Sequence, residues 1–265
     1  MKQHKKHIIL KTENLSIGYQ QKKDAKIVAS KINLEIEKGK LVTVLGKNGI
    51  GKSTLLRTLS KVQKPILGDV FIHQKKLQEL TEKELSTQLS LVLTERLPES
   101  QLTVYELIAL GRQPYTNWID KLSEKDIEKV ETAIHQTEIA HLKNRRFYEL
   151  SDGQLQRVLI ARALAQDTEI IILDEPTAHL DMHHTIKIFS LLKKLVAETQ
   201  KTVVISSHEV NLSIQLADEI ILITENTLHS GTPKKLIEEN AFDTLFPKEL
   251  VIFNKELQQF VISKN

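Results

Sequence analysis

The chain has 265 residues, of which 40% are hydrophobic and 27% charged, as is usual for globular proteins with one large domain or two modest ones. A formal net charge of +3 is too weak to indicate nucleic-acid binding by itself. The absence of cysteine excludes disulfides and thiolate metal sites. The sequence contains no run of about 18 apolar residues, the length needed to cross a bilayer.

The first predicted elements are strands. The basic run KQHKKH at residues 2–7 precedes only three apolar residues, too few for a signal-peptide core, so a solvated terminus is expected, with contact to an anionic membrane surface as the alternative. Two alternating apolar series then predict strands within residues 8–45. They are Leu15, Ile17 and Tyr19, followed by Ile32, Leu34 and Ile36. A turn at residues 37–39 leads into the apolar run 41–45, which predicts a further strand.

The segment GKNGIGKS, residues 46–53, fits the pattern G-x-x-x-x-G-K-[ST] between that strand and a helix expected to begin near Lys52. Its glycines allow the backbone N–H groups to point at phosphate. We expect Lys52 to neutralise the β- and γ-phosphates and Ser53 to bind Mg²⁺. The segment therefore predicts a triphosphate site formed by Gly46, Lys47, Asn48, Gly49, Ile50, Gly51, Lys52, Ser53 and Thr54.

Residues 81–165 are predicted to be mainly helical. In one helix Ile127, Val130 and Ile134 share a face, and Ser123 is placed to cap its start. Another predicted helix has an apolar face. It is expected to end at Gly111 and Arg112, because residues 113–115 would interrupt a helix. That face consists of Val104, Leu107, Ile108 and Leu110.

Two apolar runs, 170–173 and 203–205, predict strands that are buried on both faces, with an amphipathic helix between them. Strand, helix and strand in this order predict a parallel sheet. Asp174 follows the first run, at the edge where open α/β sheets bind ligands, and is the candidate Mg²⁺ partner. Glu175 is the candidate group that polarises the attacking water.

The segment LSDGQLQR, residues 150–157, resembles the signature of the ATP-binding-cassette (ABC) ATPases, which usually reads LSGGQ, with Asp152 where glycine is common. Ser151 can cap a helix beginning around Gln154, and Gly153 permits close backbone approach, so the segment is a second anion site. The resemblance implies that Ser151, Asp152, Gly153 and Gln154 contact the ATP held by another subunit.

The same resemblance implies further roles. Tyr19 would stack on adenine, although an isolated strand aromatic more often serves packing. Asp181, after His179 and Leu180, would link the two sites of a dimer. His208 would be the switch histidine that contacts the γ-phosphate. The adjacent histidines 183 and 184 are interpreted as surface residues, because neighbours on a helix project in different directions.

The resemblance implies an α/β fold with a P-loop ABC-type core, an antiparallel β subdomain and a helical signature subdomain. The ATPase domain would cover residues 1–235, with the helical subdomain at about 81–165. Residues 236–265 would form a short C-terminal extension packed on the core, with a short helix after Pro233 and strand-like pieces at 250–253 and 260–262.

The implied function is ATP hydrolysis by the peripheral subunit of a transporter, with ATP and Mg²⁺ as cofactors. The stretch ELIALGRQPYT, within residues 102–118, resembles ATPases that drive import of ferric siderophores, haem or cobalamin. The chain would lie peripherally at the cytoplasmic face of the plasma (inner) membrane. The expected partners are a second copy of the chain, integral membrane permease subunits and, indirectly, a substrate-binding protein, but no nucleic acid. An exporter ATPase and a soluble non-transport ABC ATPase are the alternatives.

The stretch LVLTERLPES, residues 91–100, departs from the family at one position. There the family has a glutamine that reaches Mg²⁺ and the attacking water, whereas this chain has Thr94 or Glu95, depending on register. Either side chain offers oxygen to a metal, and Glu95 is the candidate ligand. Glu95 could instead pair with Arg96.

Overall fold

Two large sheets and a group of helices are present in the computed structural model, which describes residues 7–20, 24–94, 100–116, 121–225, 227–246, 251–254 and 256–263. The strands are β1 (Ile8–Gln20), β2 (Ala25–Ile32), β3 (Glu35–Glu37), β4 (Leu41–Leu45), β5 (Leu67–Ile72), β6 (Lys75–Lys76), β7 (Leu89–Val92), β8 (Ile170–Leu173), β9 (Thr202–Ser206), β10 (Glu219–Ile223), β11 (Leu228–Gly231), β12 (Val251–Asn254) and β13 (Gln259–Ile262). The α-helices are α1 (Lys52–Leu59), α2 (Glu82–Ser86), α3 (Val104–Ala109), α4 (Glu124–Gln136), α5 (Asp152–Ala165), α6 (Met182–Thr199), α7 (Val210–Leu216) and α8 (Pro233–Glu238). Short 3₁₀ helices occupy Leu77–Glu79, Leu110–Tyr115, Ala140–Leu142, Phe147–Glu149 and Ala241–Thr244.

The central sheet has the strand order β11-β10-β4-β9-β8-β7. Its strands β10, β4, β9, β8 and β7 are parallel, and β11 is an antiparallel edge strand. The prediction of a parallel sheet with α6 as a crossover between β8 and β9 is therefore confirmed. Because parallel strands share the edge at which they end, the segments after β4, β7, β8 and β9 meet there.

The two faces of the central sheet are buried against different layers. Val42, Ile172 and Val204 pack toward α1 and the antiparallel sheet. Ile171 and Val203 point the other way, into the core formed with α3 to α6. The antiparallel sheet has the order β2-β1-β5-β6, with β3 also paired to β1. Helix α1 is thus enclosed between two sheets, which agrees with the predicted α/β fold and its antiparallel β subdomain.

The region predicted to be mainly helical, residues 81–165, also contains one strand of the central sheet, β7, between the short helix α2 and the longer helices that follow. Helix α4 starts at Ser123, which caps it together with Asp126, as the sequence predicted for the cap. One of the three residues on the predicted apolar face of α4 is misplaced. Ile127 is 42% exposed, whereas its neighbour Asp126 is only 5% exposed. The reason is that Asp126 turns inward to pair with Arg112.

Arg112 holds the helical region together from inside. Its Nη2 lies 2.9 Å from Oδ1 of Asp126, and its Nη1 donates to the Ala165 carbonyl at 2.7 Å. The ring of Tyr115 covers the guanidinium at 4.0 Å. The chain does not break at residues 113–115 as predicted, because the 3₁₀ helix Leu110–Tyr115 carries α3 onward into these contacts. One buried cation therefore connects α3, α4 and α5.

The C-terminal elements pack beside the central sheet. Leu236 of α8 and Phe242 share a core with Leu45 and Ile220. Strands β12 and β13 form a hairpin, in which the N–H of Phe260 donates to Asn211 Oδ1 at 2.9 Å. Of the helices described here, none is apolar over a length sufficient to traverse a bilayer.

We predict that Asp126→Ala strongly destabilises the protein, because it leaves the Arg112 cation buried without its partner. Removing one member of a buried ion pair costs about 3–5 kcal/mol. The measurement is urea unfolding of the variant and of Glu124→Gln, which removes an exposed carboxylate from the same helix and should have little effect. A cost below about 1 kcal/mol, the value of a surface pair, would contradict the proposed importance of the contact.

The pH dependence gives a second readout of the same contact. Burial raises the pKa of Asp126, but hydrogen bonds from Ser123 and Arg112 outweigh it and hold the pKa below its usual range. The stabilisation is thus complete above the pKa of an unfolded aspartate, about 3.9, and is lost as the pH falls through the lower folded value. The difference in unfolding free energy between wild type and Asp126→Ala should shrink correspondingly in acid.

Candidate nucleotide-binding site

The phosphate loop, residues 46–53, connects β4 to α1. Gly49 and Gly51 have φ values of +74° and +111°, a backbone region that side chains strongly disfavour. A Cβ at position 51 would also lie 2.3 Å from Cγ1 of Val28. Because Gly51 precedes α1 and offers no capping side chain, the first N–H groups of the helix remain available to an anion.

Lys52 lies inside this loop with an exposed fraction of only 4%. Its Nζ donates to the carbonyl oxygens of Gly46 at 3.0 Å and Lys47 at 3.3 Å. Burial lowers the pKa of Lys52, and the nearby charges of Glu175 and Asp174 oppose this shift. The acceptors of the ammonium group are thus neutral carbonyl oxygens. A phosphate, being charged, could replace them as the acceptor of these hydrogen bonds.

Asp174 follows β8 and is the most connected side chain of the site. It is 2% exposed. Its Oδ1 accepts hydrogen bonds from Ser53 Oγ at 2.9 Å and from Ser206 Oγ at 2.7 Å. Its Oδ2 lies 3.5 Å from Thr94 Oγ1, a contact at the limit of hydrogen bonding. The predicted pair of Ser53 and Asp174 is therefore brought together.

The same contact bears on the register of residues 91–100. Thr94, one of the two residues that the sequence offered in place of the family's glutamine, directs its hydroxyl toward Asp174. Glu95, the candidate metal ligand, and Arg96 lie outside the described residues. The oxygen that this strand end contributes to the described site is thus that of Thr94.

Glu175 adopts a left-handed backbone conformation with φ of +46°, which turns the chain sharply after β8. Its N–H donates to Ser206 Oγ at 2.8 Å, and its Oε1 lies 2.9 Å from Nε2 of His208. The acid and the histidine that the sequence proposed as catalytic residues are thus hydrogen-bonded to each other.

Ser206 is the functional residue that sequence reasoning missed. It ends β9, is fully buried, and its hydroxyl donates to Asp174 while accepting from the N–H of Glu175. One hydroxyl group therefore fixes both acidic residues. The available signal was a polar residue at the end of an apolar buried strand, two residues before His208.

Tyr19 stands at the end of β1, beside the start of α1. Its hydroxyl lies 2.9 Å from Thr54 Oγ1, and 49% of the residue is exposed. The ring is therefore tied to the phosphate loop while much of its surface stays open. This arrangement is suitable for stacking on a base, which remains a prediction.

The signature residues 151–154 form the start of α5, which begins at Asp152, two residues earlier than predicted. Gln154 N–H donates to Ser151 Oγ at 3.4 Å, and Ser151 N–H donates to Gln154 Oε1 at 3.1 Å. Within the described part of the chain, no hydrogen bond joins these residues to the phosphate loop. A cavity of about 360 Å³ lies nearby, and its lining includes Thr94, Asp152 and Glu175.

Asp181 caps the start of α6 and accepts a hydrogen bond from the N–H of His184 at 2.8 Å. The His184 ring also lies 2.9 Å from both carboxylate oxygens through Nδ1. Its side chain is 42% exposed, so it lies at the surface as predicted, but its ring is turned back onto the aspartate at the start of α6. His183 is exposed, as predicted.

We predict that Lys52→Ala weakens ATP binding itself. Loss of a hydrogen bond to a charged group costs about 1.5–3 kcal/mol, so the affinity should fall about 10- to 100-fold. Equilibrium titration with ATP measures the effect, with the exposed Lys64→Ala as control for loss of a positive charge. An unchanged dissociation constant would show that Lys52 does not contact the phosphates.

We predict that Ser206→Ala lowers the rate of ATP hydrolysis about 10- to 100-fold, the usual loss when a residue that orients a ligating or catalytic group is removed. The measurement is kcat, with Ser90→Ala as control. Ser90 is likewise a buried serine of the central sheet, but it bonds to Thr168 away from the site. Equal loss in both variants would mean that Ser206 serves stability alone.

Comparison with known proteins agrees with this geometry. Residues 29–178 match the ABC transporter family. The chain is 37% identical to the petrobactin import ATP-binding protein FpuD of Bacillus anthracis, across 92% of this chain and 88% of that protein.

Two solved structures resemble the fold. One is an inward-facing ABC transporter assigned to the metal-chelate type, with a TM-score of 0.78, 27% identity and 96% of each chain covered. The other is a bacterial ABC transporter cassette solved as a dimer, with a TM-score of 0.73, 30% identity, and 85% of this chain and 99% of that one covered. By its geometry and its relatives alike, this chain belongs to the ABC transporter family and is an ATP-binding protein with ATPase activity.

Proposed function

We propose that this chain is the subunit that supplies ATP hydrolysis to an importer of metal chelates of the ferric siderophore, haem or cobalamin class. The hydrolytic role is supported mainly by one hydrogen-bonded network. Ser53 links the phosphate loop to Asp174, Ser206 links Asp174 to Glu175, and Glu175 is bonded to His208. The transport class is supported by the petrobactin import relative and the metal-chelate type neighbour.

The residues divide the chemistry between them. The Lys52 ammonium binds the β- and γ-phosphates, and the N–H groups of the loop and of α1 surround them. Glu175 accepts a hydrogen bond from the attacking water and orients it toward the γ-phosphate. His208, which is hydrogen-bonded to Glu175 at 2.9 Å, contacts the γ-phosphate with the same ring and so orients the carboxylate relative to it.

Mg²⁺ fits the oxygen atoms around Asp174. Magnesium in nucleotide sites is bound by one or two protein oxygens together with phosphates and water, not by a dedicated cage of side chains. Among the described residues, no group of three or more histidines and acids forms such a cage. Asp174 and the hydroxyl of Ser53 would hold the ion, which supplies charge neutralisation at the phosphates.

The proposed active form is a head-to-tail dimer, in which ATP lies between the phosphate loop of one chain and the signature residues 151–154 of the other. In the part of the chain described, the start of α5 makes no hydrogen bond to its own phosphate loop, and only the N–H of Gln154 among its first three N–H groups is engaged, by Ser151 Oγ. The dimeric form of a neighbouring cassette supports this arrangement.

The remaining partners follow from the proposed role. The dimer would lie at the cytoplasmic face of the membrane against separate permease subunits, and a substrate-binding protein would deliver the chelate. Nucleic acid has no part in this function. An exporter ATPase would use the same nucleotide chemistry, so the identity of the permease decides between the two.

We predict that Glu175→Gln binds ATP normally, hydrolyses it about 10²- to 10⁴-fold more slowly, and accumulates as a closed dimer, because only the catalytic carboxylate is lost. Steady-state kinetics measure turnover, and light scattering after gel filtration with ATP measures the dimer. Normal turnover would refute the role of Glu175.

Co-purification tests the transport class. We expect the tagged chain to retain a polytopic membrane protein, and a separate substrate-binding protein to stimulate ATP hydrolysis by that complex. A permease whose ATPase activity responds to substrate without any binding protein would favour export. Full activity without a membrane partner would favour a soluble role.

Thr94→Val and Glu95→Ala identify which of the two residues transmits the state of the bound nucleotide to the permease. If Thr94 acts through Asp174, its variant should lower hydrolysis in the complex more than it weakens ATP binding. If Glu95 is the sensor, Glu95→Ala should show that split instead. Wild-type hydrolysis by both variants with the permease present would contradict a sensing role for this segment.

A further inference from the structure

His184 lies in the first turn of α6 and contacts two segments that are distant in sequence. One is the segment before α6, which ends at Asp181, and the other is the start of α5, which carries Gly153. Both segments belong to the surface that faces the second subunit in the proposed dimer. The contacts of this one imidazole ring therefore bear on how that surface is held.

The first contact restrains Asp181. Nδ1 of His184 lies 2.9 Å from each carboxylate oxygen, and the backbone N–H of His184 donates to Oδ1 at 2.8 Å. The backbone hydrogen bond, followed by that of the ring, holds the pKa of Asp181 below its usual range. Because an ionised carboxylate only accepts hydrogen bonds, Nδ1 carries a proton. The exposed side chain of Asp181 is thus fixed in one orientation.

The second contact is with the signature. A Cβ at position 153 would lie 2.7 Å from Cδ2 of His184, closer than real Cβ contacts, and 3.1 Å from its Cγ, which is a tight contact. Gly153 lies within α5, where glycine is about 1 kcal/mol less favourable than alanine, and its φ is not in the left-handed region. The backbone conformation therefore does not require glycine there, whereas the His184 ring does.

We propose that His184 is a positioning residue that holds Asp181 and the signature as one rigid unit toward the second subunit. This inference rests on the proposed head-to-tail dimer. The ring also packs against that of His183, and none of its described contacts involves the phosphate loop, so binding of ATP within one chain does not depend on it. Closure of the dimer does, because ordering a loosened surface costs free energy at that step.

The test uses Glu175→Gln, which should accumulate the closed dimer, as the parent protein. His184→Ala removes both contacts, and His184→Asn keeps a donor close to the position of Nδ1. Lys187→Gln is the control, since Lys187 is an exposed residue of the same helix, whereas the His183 ring packs against that of His184. Two quantities are measured for each variant, namely the dissociation constant of ATP for the monomer and the ATP-dependent dimerisation constant.

We expect His184→Ala to weaken dimerisation about tenfold and to leave ATP affinity within about twofold of the parent. His184→Asn should recover most of the loss, and Lys187→Gln should behave as the parent. In the wild-type background, His184→Ala should lower kcat with little change in KM. Unchanged ATP affinity also shows that the variant is folded.

A double-mutant cycle with Gly153→Ala tests the second contact, with the equilibrium constant of unfolding in the absence of ATP as the readout, because Gly153 is itself expected to lie against the ATP of the other subunit. With His184 present, the added methyl group meets the ring, so the substitution should destabilise the protein. In the His184→Ala background the space is open, and the same substitution should cost at least about fivefold less, a coupling within the range for contacting residues. Equal effects of Gly153→Ala in both backgrounds would overturn the proposed contact.

The outcomes separate the two levels of the proposal. If the Glu175→Gln parent forms no dimer with ATP, the proposed function fails, and this inference fails with it. If the parent dimerises and His184→Ala dimerises equally well, the inference alone fails. If His184→Asn is as defective as His184→Ala, the hydrogen bond to Asp181 is not the contact that matters.

Discussion

The buried carboxylate of Asp174 is the contact on which the nucleotide site depends. A carboxylate that is 2% exposed is costly unless its oxygens accept hydrogen bonds. Its hydrogen-bond donors are Ser53, in the first turn of α1 after the phosphate loop, and Ser206, at the end of β9. The strand order β4-β9-β8-β7 brings the segments that follow β4, β8 and β9 to one edge of the sheet. The order of the strands therefore determines which groups can reach Asp174.

The layers around the sheet determine how rigidly that contact is held. Helix α1 is enclosed between two sheets, so the phosphate loop starts from a fixed helix end. On the opposite face, the buried Arg112 joins α3, α4 and α5, and thereby fixes the helix whose first turn is the signature. The two helix starts that are proposed to bind anions are thus supported by two separate cores, and His184 connects α6 to the signature.

Sequence reasoning was most successful where a local pattern has one physical meaning. The glycine spacing of the phosphate loop, the apolar strand before Asp174 and the cap at Ser123 all depend on nearest neighbours, and all were placed correctly. It failed where the deciding partner is remote. Ile127 was predicted to be buried, but the ion pair with Arg112 turns Asp126 inward instead. Ser206 and His184 could not be identified because their partners, Asp174 and Gly153, lie about 30 residues away in sequence.

The most direct test of the account is a structure of Glu175→Gln with ATP and Mg²⁺ bound. The account predicts two chains in head-to-tail arrangement, each ATP lying between Lys52 of one chain and Ser151 of the other. Asp174 and Ser53 should lie on the metal side of the phosphates. A nucleotide bound within one chain alone, with the starts of α5 remote from both nucleotides, would contradict the central claim.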